Sequence, residues 1–372
     1  MPYVASAEVR ASFELSYGAA MGWLFVLPTL VALVLEPPLF VLADRYPRRW
    51  FVLGGLAAMA AAAFLLACSI GPFTLSLALS VMFVGSGMGV GLAQATLVDL
   101  HPGEGARVLA RWNLAGELGD MVAPLLLGLF AWLELDWRAA FVVVGALLAA
   151  WTAFGLAQRF EAEAETSPEE GGEEPEPGVL DAVREALGSR RLVGWLGVAA
   201  VCELLDEIVV VLAALHLKDD LGIGEMERSL VFGAGVAGAI IGSIASERAL
   251  ARVSPMKVLF VVSAACSVAF GLFWMSHDVW TLALGFAVVC ATAAPMYPIA
   301  QAEAYAALPG RSGTVNAAAH LYTPLTLALP FLLGALADAA GPGVALAVLI
   351  AQPLVLLVVS GVQLYRNRES TR

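Results

Sequence analysis

Long apolar segments alternate with short polar connections along most of this chain. A segment of about 20 residues can cross a bilayer as a helix, and eleven segments reach this length. They lie at 18–43, 50–69, 73–98, 112–133, 138–157, 192–217, 228–249, 256–275, 279–305, 312–338 and 342–364. Strands of an outer-membrane barrel show strict alternation of apolar and polar residues over about ten residues. The apolar segments of this chain do not show that alternation. The pattern predicts an all-α, polytopic membrane helix bundle with eleven transmembrane helices.

Composition supports the same class. Apolar residues make up 60% of the 372 residues, charged residues make up 14%, and the mean hydropathy is +0.82. A soluble domain of this length carries roughly a quarter charged residues. Residues 1–17 contain Glu8, Arg10 and Glu14 but no compact apolar core, so no cleavable signal is expected there.

The longest polar interruption, residues 158–191, divides the chain into two halves. Positions 161–176 hold eight glutamates and no apolar residue larger than alanine. Such a stretch cannot bury enough surface to fold, so we expect a solvated tether, with a phosphorylation or docking segment as the alternative. Its glutamates explain much of the net charge of −12, which therefore implies nothing about a substrate. Val179, Leu180, Val183 and Leu187 then recur at helical spacing and predict a short amphipathic helix on the inner membrane surface.

Basic residues set the predicted orientation. The turn at 44–49 places three arginines between two membrane-length segments, and such a turn lies in the cytoplasm. On this assignment sixteen basic residues are cytoplasmic and four are outside, so we expect a cytoplasmic C-terminus and an outside N-terminus. The predicted parts are an outside N-terminal segment at 1–17, a half with five transmembrane helices at 18–157, an acidic linker plus amphipathic helix at 158–191, a half with six transmembrane helices at 192–365, and a cytoplasmic tail at 366–372.

The same turn carries a family motif. Residues 39–52 read LFVLADRYPRRWFV, which resembles the signature loop G-x-L-A-D-R-x-G-R-[RK] of the major facilitator superfamily of transporters. Phe40 and Pro47 occupy its two glycine positions. The second half contains a degenerate echo of this loop around Ser246, which takes the place of the aspartate. The matching residues of the loop itself are Leu42, Ala43, Asp44, Arg45, Arg48 and Arg49.

The resemblance implies two six-helix halves related by pseudo-symmetry around a central cavity. In the family the signature loop follows the second helix, but here it follows the first predicted helix. Residues 1–17 then correspond to the outside loop after the family's first helix, and that helix is expected to be missing. Either the start codon is placed too late or the protein lacks this helix.

The resemblance also implies a role for the signature loop. Its aspartate is expected to cap a second-half helix near residues 311–316, because an anion is favoured at a helix N-terminus. A basic residue of the loop, Arg48, is expected to pair with an acid at the inner end of the fourth family helix. The alternative is that these charges only fix the topology. The predicted cytoplasmic latch consists of Asp44, Arg45, Arg48, Arg49 and Asp99.

Three carboxylates near the middle of segment 192–217 give the main functional prediction. Glu203, Asp206 and Glu207 are three and four residues apart and therefore share one helical face. Three anions so close together in a low-dielectric site cannot all stay ionised, so at least one is expected to hold a proton near neutral pH. A group that exchanges protons there suits proton-coupled transport. The alternative is that the carboxylates are merely solvated along a water-lined helix, or that one of them pairs with a polar residue across the bundle.

Other polar residues inside the predicted spans are weaker candidates. Asn113, Glu117 and Asp120 share a face of one helix. Glu36 is expected to be structural or near the surface, and packing is favoured over proton relay for His320. The fourth and tenth helices of the family line its cavity. The resemblance therefore adds Gln94 on the fourth helix and Tyr297 and Gln301 on the tenth. The predicted coupling and substrate cavity contains Glu203, Asp206, Glu207, Glu117, Asp120, Gln94, Tyr297, Gln301 and His320.

The charges in the spans indicate the substrate class. No lysine or arginine lies deep in any span, so the cavity is expected to be acidic and to favour a cationic or neutral substrate. We predict a secondary active transporter of the inner (plasma) membrane, coupled to protons, that exports a small cationic or amphipathic compound by alternating access. The alternatives are uptake of a neutral solute by proton symport and a non-transporting membrane scaffold or receptor. The expected partners are the lipid bilayer, a small-molecule substrate and protons, without nucleic acid, and the protein is expected to be a monomer.

An integral-membrane enzyme is the weakest alternative. The sequence Gly85-Ser-Gly87 has no histidine at matching depth, and the chain has no nucleotide loop or metal-ligand spacing. The cysteines at 68, 202, 266 and 290 fit no metal or redox pattern and are expected to be buried thiols. We therefore expect no catalytic residue, metal or cofactor.

Overall fold

Helices form within all eleven predicted segments. The computed structural model describes residues 12–14, 22–158 and 179–370. Within these ranges the side chains at 22, 25, 120–121, 123–128, 131–132, 179, 203–207, 225 and 367–370 fall outside the description. Every regular element in the described ranges is a helix, which confirms the all-α class. The predicted N-terminal segment at 1–17 lies outside these ranges except for residues 12–14, and the glutamate-rich stretch at 161–176 lies outside them entirely.

The described helices run nearly end to end, joined by short turns. Shorter π turns occur at Gly22–Val26, Gly87–Gly91 and His216–Asp220, and a 3-10 turn occurs at His320–Tyr322. The α-helices, in chain order, are α1 (Leu27–Ala43), α2 (Arg48–Ala67), α3 (Pro72–Ser86), α4 (Leu92–Asp99), α5 (Gly105–Trp132), α6 (Trp137–Ala157), α7 (Val179–Gly188), α8 (Arg190–Leu215), α9 (Glu225–Leu250), α10 (Pro255–Met275), α11 (Val279–Ala293), α12 (Met296–Tyr305), α13 (Ser312–Ala319), α14 (Thr323–Ala340), α15 (Pro342–Val348) and α16 (Ala351–Ser370).

Length and composition support membrane crossing. In the described part of the chain, eight helical runs are long and apolar enough to cross a membrane. The shorter α1 is apolar and 17 residues long, which corresponds to about 26 Å at 1.5 Å per residue, and the π turn at Gly22–Val26 extends it. The chain is therefore a multi-pass membrane protein, while the count of eleven transmembrane helices and the orientation stay predictions.

The first compact unit comprises residues 1–100, 118–188 and 308–320. In it α2 packs against α3 and α6, and α13 packs against α1, α4 and α7. Apolar side chains from α1, α4, α13 and the π turn at Gly87–Gly91 form one buried cluster in this unit. They include Phe40, Val41, Met88, Leu92 and Ala317. This packing fixes the end of α1 beside the start of α13.

The second compact unit comprises residues 101–117, 189–307 and 321–372. In it α9 packs against α11, α10 packs against α11 and α16, and α8 packs against α12 and α15. Phe286 is buried at its centre, and its ring centroid lies 5.5 Å from that of Phe232 and 5.2 Å from that of Phe273. This aromatic cluster borders a cavity between the helices of this unit.

Two details differ from the sequence-based expectations. The amphipathic helix is present as α7, but it packs against α1 and α13 through the buried Ala182 and Ala186, and Leu180 is 84% exposed. Small alanine side chains let helices approach closely, so protein contact replaces part of the expected membrane contact. The prediction that all cysteines are buried is wrong for Cys68, which is exposed at the end of α2, and for Cys290, which is only partly buried.

Candidate functional site

The turn between α1 and α2 places Asp44 against the N-terminus of α13. α1 ends at Ala43, and Asp44 follows as its C-cap. The Asp44 carboxylate accepts hydrogen bonds from the Gly313 N–H at 2.9 Å and from the N–H and hydroxyl of Thr314 at 2.6 and 2.7 Å. N–H groups in the first turn of a helix have no partner within it, and the helix dipole favours an anion there. Asp44 therefore lies where the family resemblance places it.

Gly313 lets α1 and α13 come this close. A Cβ atom at this position would lie 2.3 Å from the Phe40 carbonyl oxygen and 2.7 Å from Asp44 Oδ1. Both distances are far below van der Waals contact, so a side chain cannot fit without moving a helix. The cap depends on the missing side chain at 313 as well as on the carboxylate at 44.

Arg48 joins Asp44 to a second carboxylate. Its Nη2 lies 2.6 Å from Asp44 Oδ1, and its Nη1 pairs with Asp99 at the end of α4. Asp99 also accepts a hydrogen bond from the Ser312 hydroxyl at 2.6 Å. The side chains of Asp44 and Arg48 are 7% and 14% exposed, so their attraction is screened less than at the surface. The geometry that a latch requires is present, and its function stays a prediction.

The other two arginines of the predicted latch make further contacts. Arg49 donates from Nη2 to the Leu156 carbonyl at 2.9 Å, near the end of α6. Arg45 is partly buried in the turn, and its backbone N–H donates to the Leu42 carbonyl at 3.0 Å. Adjacent side chains on a helix point about 100° apart. Arg48 and Arg49 therefore reach different neighbours.

The echo of the signature loop binds two arginines through a residue that the sequence analysis did not select. Glu247 Oε1 accepts hydrogen bonds from Arg107 Nε at 2.9 Å and Arg111 Nε at 2.8 Å. Ser246, which takes the aspartate's place in the motif, donates to the Ser243 carbonyl in its own helix. The signal was present as a glutamate beside Ser246 and two arginines four positions apart at the start of α5.

Glu36 and His320 form a buried pair in the first unit. Glu36 lies within α1, is 8% exposed, and its Oε2 is 3.0 Å from His320 Nε2. The Phe40 ring stacks on the imidazole, with ring centroids 5.9 Å apart. Pro37 and Pro38 follow Glu36 and have no N–H, so α1 lacks two backbone hydrogen bonds beside the carboxylate. From the sequence, a structural role is expected for Glu36 and a packing role for His320, without a contact between them.

A glycine-rich π turn makes room for the Glu36 carboxylate. Residues Gly87–Gly91 form this turn between α3 and α4. A Cβ atom at Gly87 would lie 2.5 Å from Glu36 Oε1. π turns are uncommon and occur frequently at functional sites. The Glu36 carboxylate is therefore closely packed between the π turn and His320.

A cavity of about 200 Å³ lies in the second unit. Its polar lining consists of Asn113 and Glu117 on α5, Cys202 on α8, Cys290 on α11 and Tyr297 on α12. Glu117 Oε1 accepts a hydrogen bond from the Ser243 hydroxyl at 2.8 Å. The fold thus brings two of the predicted cavity residues, Glu117 and Tyr297, to one space.

The rest of the cavity wall is apolar. Phe232 and Phe286 supply aromatic rings, and Val209 and Val236 supply aliphatic surface. A carboxylate beside aromatic rings attracts a cation through its charge and through cation–π contacts. Sites for drug-sized ligands usually have about 300–1,000 Å³. A space of about 200 Å³ fits a small solute or one end of a larger amphipathic molecule.

The remaining predicted cavity residues are distributed over both units. Gln301 is 7% exposed in α12 of the second unit, and Gln94 is partly buried in α4 of the first unit. Among the described residues, no group of three or more His, Cys, Asp or Glu side chains could hold a metal ion. The side chains outside the description are those of Asp120, Glu203, Asp206 and Glu207.

Comparison with solved structures identifies the fold. The Escherichia coli fucose:proton symporter FucP is 13% identical, with a TM-score of 0.69 over 96% of each chain. A bacterial homologue of the iron transporter ferroportin, in an outward-facing state, is 18% identical, with a TM-score of 0.71 over 100% of this chain and 95% of its own. The proton:xylose symporter XylE is 13% identical, with a TM-score of 0.68 over 96% and 90%. Similarity at these identities shows the fold alone.

The sequence comparisons give the family. No curated protein matches the chain in sequence. The family model of the Major Facilitator Superfamily matches residues 1–320, a range that includes the signature loop and its echo. With its transporter fold and its multiple membrane helices, the chain belongs to the major facilitator superfamily.

Proposed function

We propose that the protein is a secondary active transporter of the inner (plasma) membrane that exchanges protons for a small cationic or amphipathic compound by alternating access. The Glu36–His320 pair carries this proposal, because it holds an acid and a base 3.0 Å apart beside a membrane helix. Ionisable groups inside a membrane protein are costly, and they commonly serve ion pathways or proton relays.

Proton binding changes the contact between the two residues. With one proton on the pair, a carboxylate faces an imidazolium and the charges attract each other across 3.0 Å. A second proton neutralises Glu36 and removes this attraction. Proton binding therefore loosens the contact between α1 and the residue that ends α13.

α13 connects the pair to the Asp44 cap. His320 directly follows the last residue of α13, and Asp44 holds the first turn of the same helix. α13 has eight residues, which corresponds to about 12 Å, and so short a helix moves as one body. Opening toward the cytoplasm requires the cap to break. A weaker Glu36–His320 contact at the end of α13 lowers the free energy needed to break the Asp44 cap at its start. Proton binding is thereby coupled to the conformation of the protein.

Other charged groups around α13 have different partners. Asp44 and Asp99 contact its first turn, and Glu185 on α7 pairs with Arg311 just before it at 3.2 Å. These groups set the field at the start of the helix, whereas Glu36 faces its end. Besides Glu36, the charged residues on the elements packed against α13 are Asp44, Asp99, Asp181, Arg184 and Glu185.

The cavity in the second unit supports a cationic or amphipathic substrate. Its lining includes Glu117, two phenylalanine rings and Tyr297, and no lysine or arginine among the residues described there. A cation gains attraction from such a wall, and an apolar group gains burial. We also propose proton or substrate roles for four carboxylates predicted inside the spans, because such groups need compensation within a membrane. They are Asp120, Glu203, Asp206 and Glu207.

Uptake of a neutral solute by proton symport is the second candidate. FucP and XylE, which share the fold, are proton symporters. A proton-binding pair serves symport and antiport equally, so the direction of the two fluxes distinguishes the candidates. A scaffold or receptor would move no solute.

Transport in proteoliposomes tests the proposal. Vesicles that contain a pH-sensitive dye receive lipophilic cations or neutral sugars, with and without an imposed pH gradient. The proposal predicts that a cation drives protons in the opposite direction and that Glu36→Gln and His320→Gln abolish this exchange. His277→Gln is the matched control, because His277 is exposed between α10 and α11. Parallel fluxes would favour symport, and no flux with any compound would contradict transport.

The predicted carboxylate trio needs its own variant. Asp206→Asn should abolish proton-driven transport in the same vesicles while the protein still folds, because the amide cannot carry a proton. Unchanged transport would move the coupling role elsewhere, and Asp120 is then the next carboxylate to replace.

A further inference from the structure

A second cavity in the second unit is basic. Its volume is about 780 Å³, and it lies between the starts of α8 and α10 and the ends of α12 and α16. Arg190, Arg191 and Arg366 line it together with Glu303 and Gln363. We call this space the arginine cavity.

Positive charge exceeds negative charge in the arginine cavity. Arg191 pairs with Glu303 at 3.2 Å. Arg190 and Arg366 form no ion pair with any residue that the structure describes. Arg190 is also the first residue of α8, where N-terminal backbone N–H groups add positive potential. The cavity therefore offers two guanidinium groups and a helix start to an anion.

The rest of the wall is apolar. Trp195 is 3% exposed and Met256 is 6% exposed, and Val198 and Val359 complete this surface. A small inorganic anion gains nothing from an apolar wall. A phospholipid, in contrast, joins a phosphate to hydrocarbon, and arginine binds phosphate through parallel N–H hydrogen bonds.

The position along the chain also fits a lipid. Arg190 and Arg191 precede the predicted span 192–217, and Arg366 follows the span 342–364. All three belong to the predicted cytoplasmic side, whose leaflet is rich in anionic lipids that attract basic residues near the membrane surface. None of them lines the cavity of about 200 Å³ assigned to the substrate. The arginine cavity is thus a separate site whose role does not depend on transport.

We propose that the arginine cavity binds the headgroup of an anionic phospholipid. Its phosphate sits between Arg190 and Arg366, and the Gln363 amide donates to a headgroup oxygen. The acyl chains follow the apolar wall beside Trp195. Arg191 remains paired with Glu303 and adds attraction at longer range.

Lipid binding to the full-length protein tests this proposal. The protein is kept in a neutral detergent and titrated with short-chain phosphatidylglycerol, phosphatidylcholine, glycerol phosphate or inorganic phosphate, and binding is followed by native mass spectrometry. We expect a clear preference for phosphatidylglycerol over phosphatidylcholine. The double variant Arg190→Gln/Arg366→Gln should lose about 30-fold in phosphatidylglycerol affinity, as expected for two basic groups at an anionic surface.

Matched variants separate a built site from general charge. Arg248→Gln/Arg252→Gln removes the same charge from exposed positions outside the cavity and should leave the affinity within a factor of about two to three. Arg190→Lys/Arg366→Lys keeps the charge but lacks the parallel N–H donors of arginine, so it should restore only part of the binding. Equal losses in the two glutamine variants, or no loss in the cavity variant, would overturn the proposal. If inorganic phosphate competes as strongly as phosphatidylglycerol, the site binds a free anion, and the proposal of a lipid site is overturned.

Discussion

The signature loop and its echo occupy corresponding places in the two halves, yet they bind through different chemistry. Asp44 accepts three hydrogen bonds from α13, two of them from backbone N–H groups at its start, and a fourth from Arg48. Glu247 accepts hydrogen bonds from the guanidinium groups of Arg107 and Arg111 on α5. The Asp44 side chain is 7% exposed and that of Glu247 is 19% exposed.

This difference separates a rigid contact from an adjustable one. Backbone donors cannot move unless α13 moves, so the Asp44 contact either fits or breaks. Guanidinium groups lie at the ends of long side chains and can follow a carboxylate, and partly exposed ion pairs weaken as salt increases. We therefore expect the Asp44 contact to control conformation and the Glu247 contact to support it.

The largest effect is expected from Gly313→Ala. The added methyl group would lie 2.3 Å from the Phe40 carbonyl oxygen, so α1 and α13 must separate and the cap must break. The free energy of unfolding should fall by about 1–3 kcal/mol, the usual cost of overpacking, and the midpoint of thermal unfolding in detergent should fall with it. Gly334→Ala is the matched control, because a Cβ atom there meets no atom within 4 Å. Equal changes in both variants would show that α1 and α13 do not need this close contact.

Asp44→Asn should have the next largest effect. The amide keeps one acceptor oxygen, so one N–H of α13 loses its partner at a cost of about 1–3 kcal/mol. We expect the population to shift at least about fivefold toward the state open to the cytoplasm, and turnover to fall while substrate binding persists. The reaction rates of cysteine probes on the cytoplasmic side measure this shift. Identical rates in wild type and variant would mean that the charges of the turn only set topology.

Glu247→Gln should have the smallest effect of the three. The same accessibility assay should change less than about fivefold, as is usual for exposed ion pairs, and high salt should reproduce the change in the wild type. The effect of Asp44→Asn should persist in high salt, because Asp44 is shielded from solvent. An equally large effect of both substitutions would remove the distinction between the two loops.

The contacts of the signature loop could be predicted, whereas the buried pair could not. Asp44 and Arg48 belong to one short motif, and a helix N-terminus is a general partner for an anion. Glu36 and His320 lie far apart in the chain and meet only because α13 packs on α1. Glu247 was not predicted, because Ser246 and not Glu247 aligns with the aspartate of the motif.

Most helix ends were predictable to within a few residues, but α5 begins at Gly105 and not at 112, and the interruptions of the helices were not predictable. Segment 279–305 breaks at Ala294 and Pro295, and segment 312–338 breaks at the 3-10 turn that begins at His320. A continuous apolar run reports hydropathy and not the local pattern of backbone hydrogen bonds. The second break matters for function, because it ends α13 at the histidine that meets Glu36.

The central claim is that protonation of the Glu36–His320 pair releases the Asp44 cap, and thiol accessibility tests it most directly. Ala317 is 3% exposed and lies in one buried cluster with Phe40 and Val41 of α1, so we expect Ala317→Cys to react with a thiol probe when α13 leaves α1. The exposed Cys68 is kept as a reference and the other native cysteines are replaced. The rate at 317 is divided by the rate at Cys68, because alkylation of any thiol depends on pH. The account predicts that this ratio rises as the pH falls and becomes independent of pH in Glu36→Gln. A ratio that does not change with pH in the parent protein, or an unchanged pH response in Glu36→Gln, would contradict it.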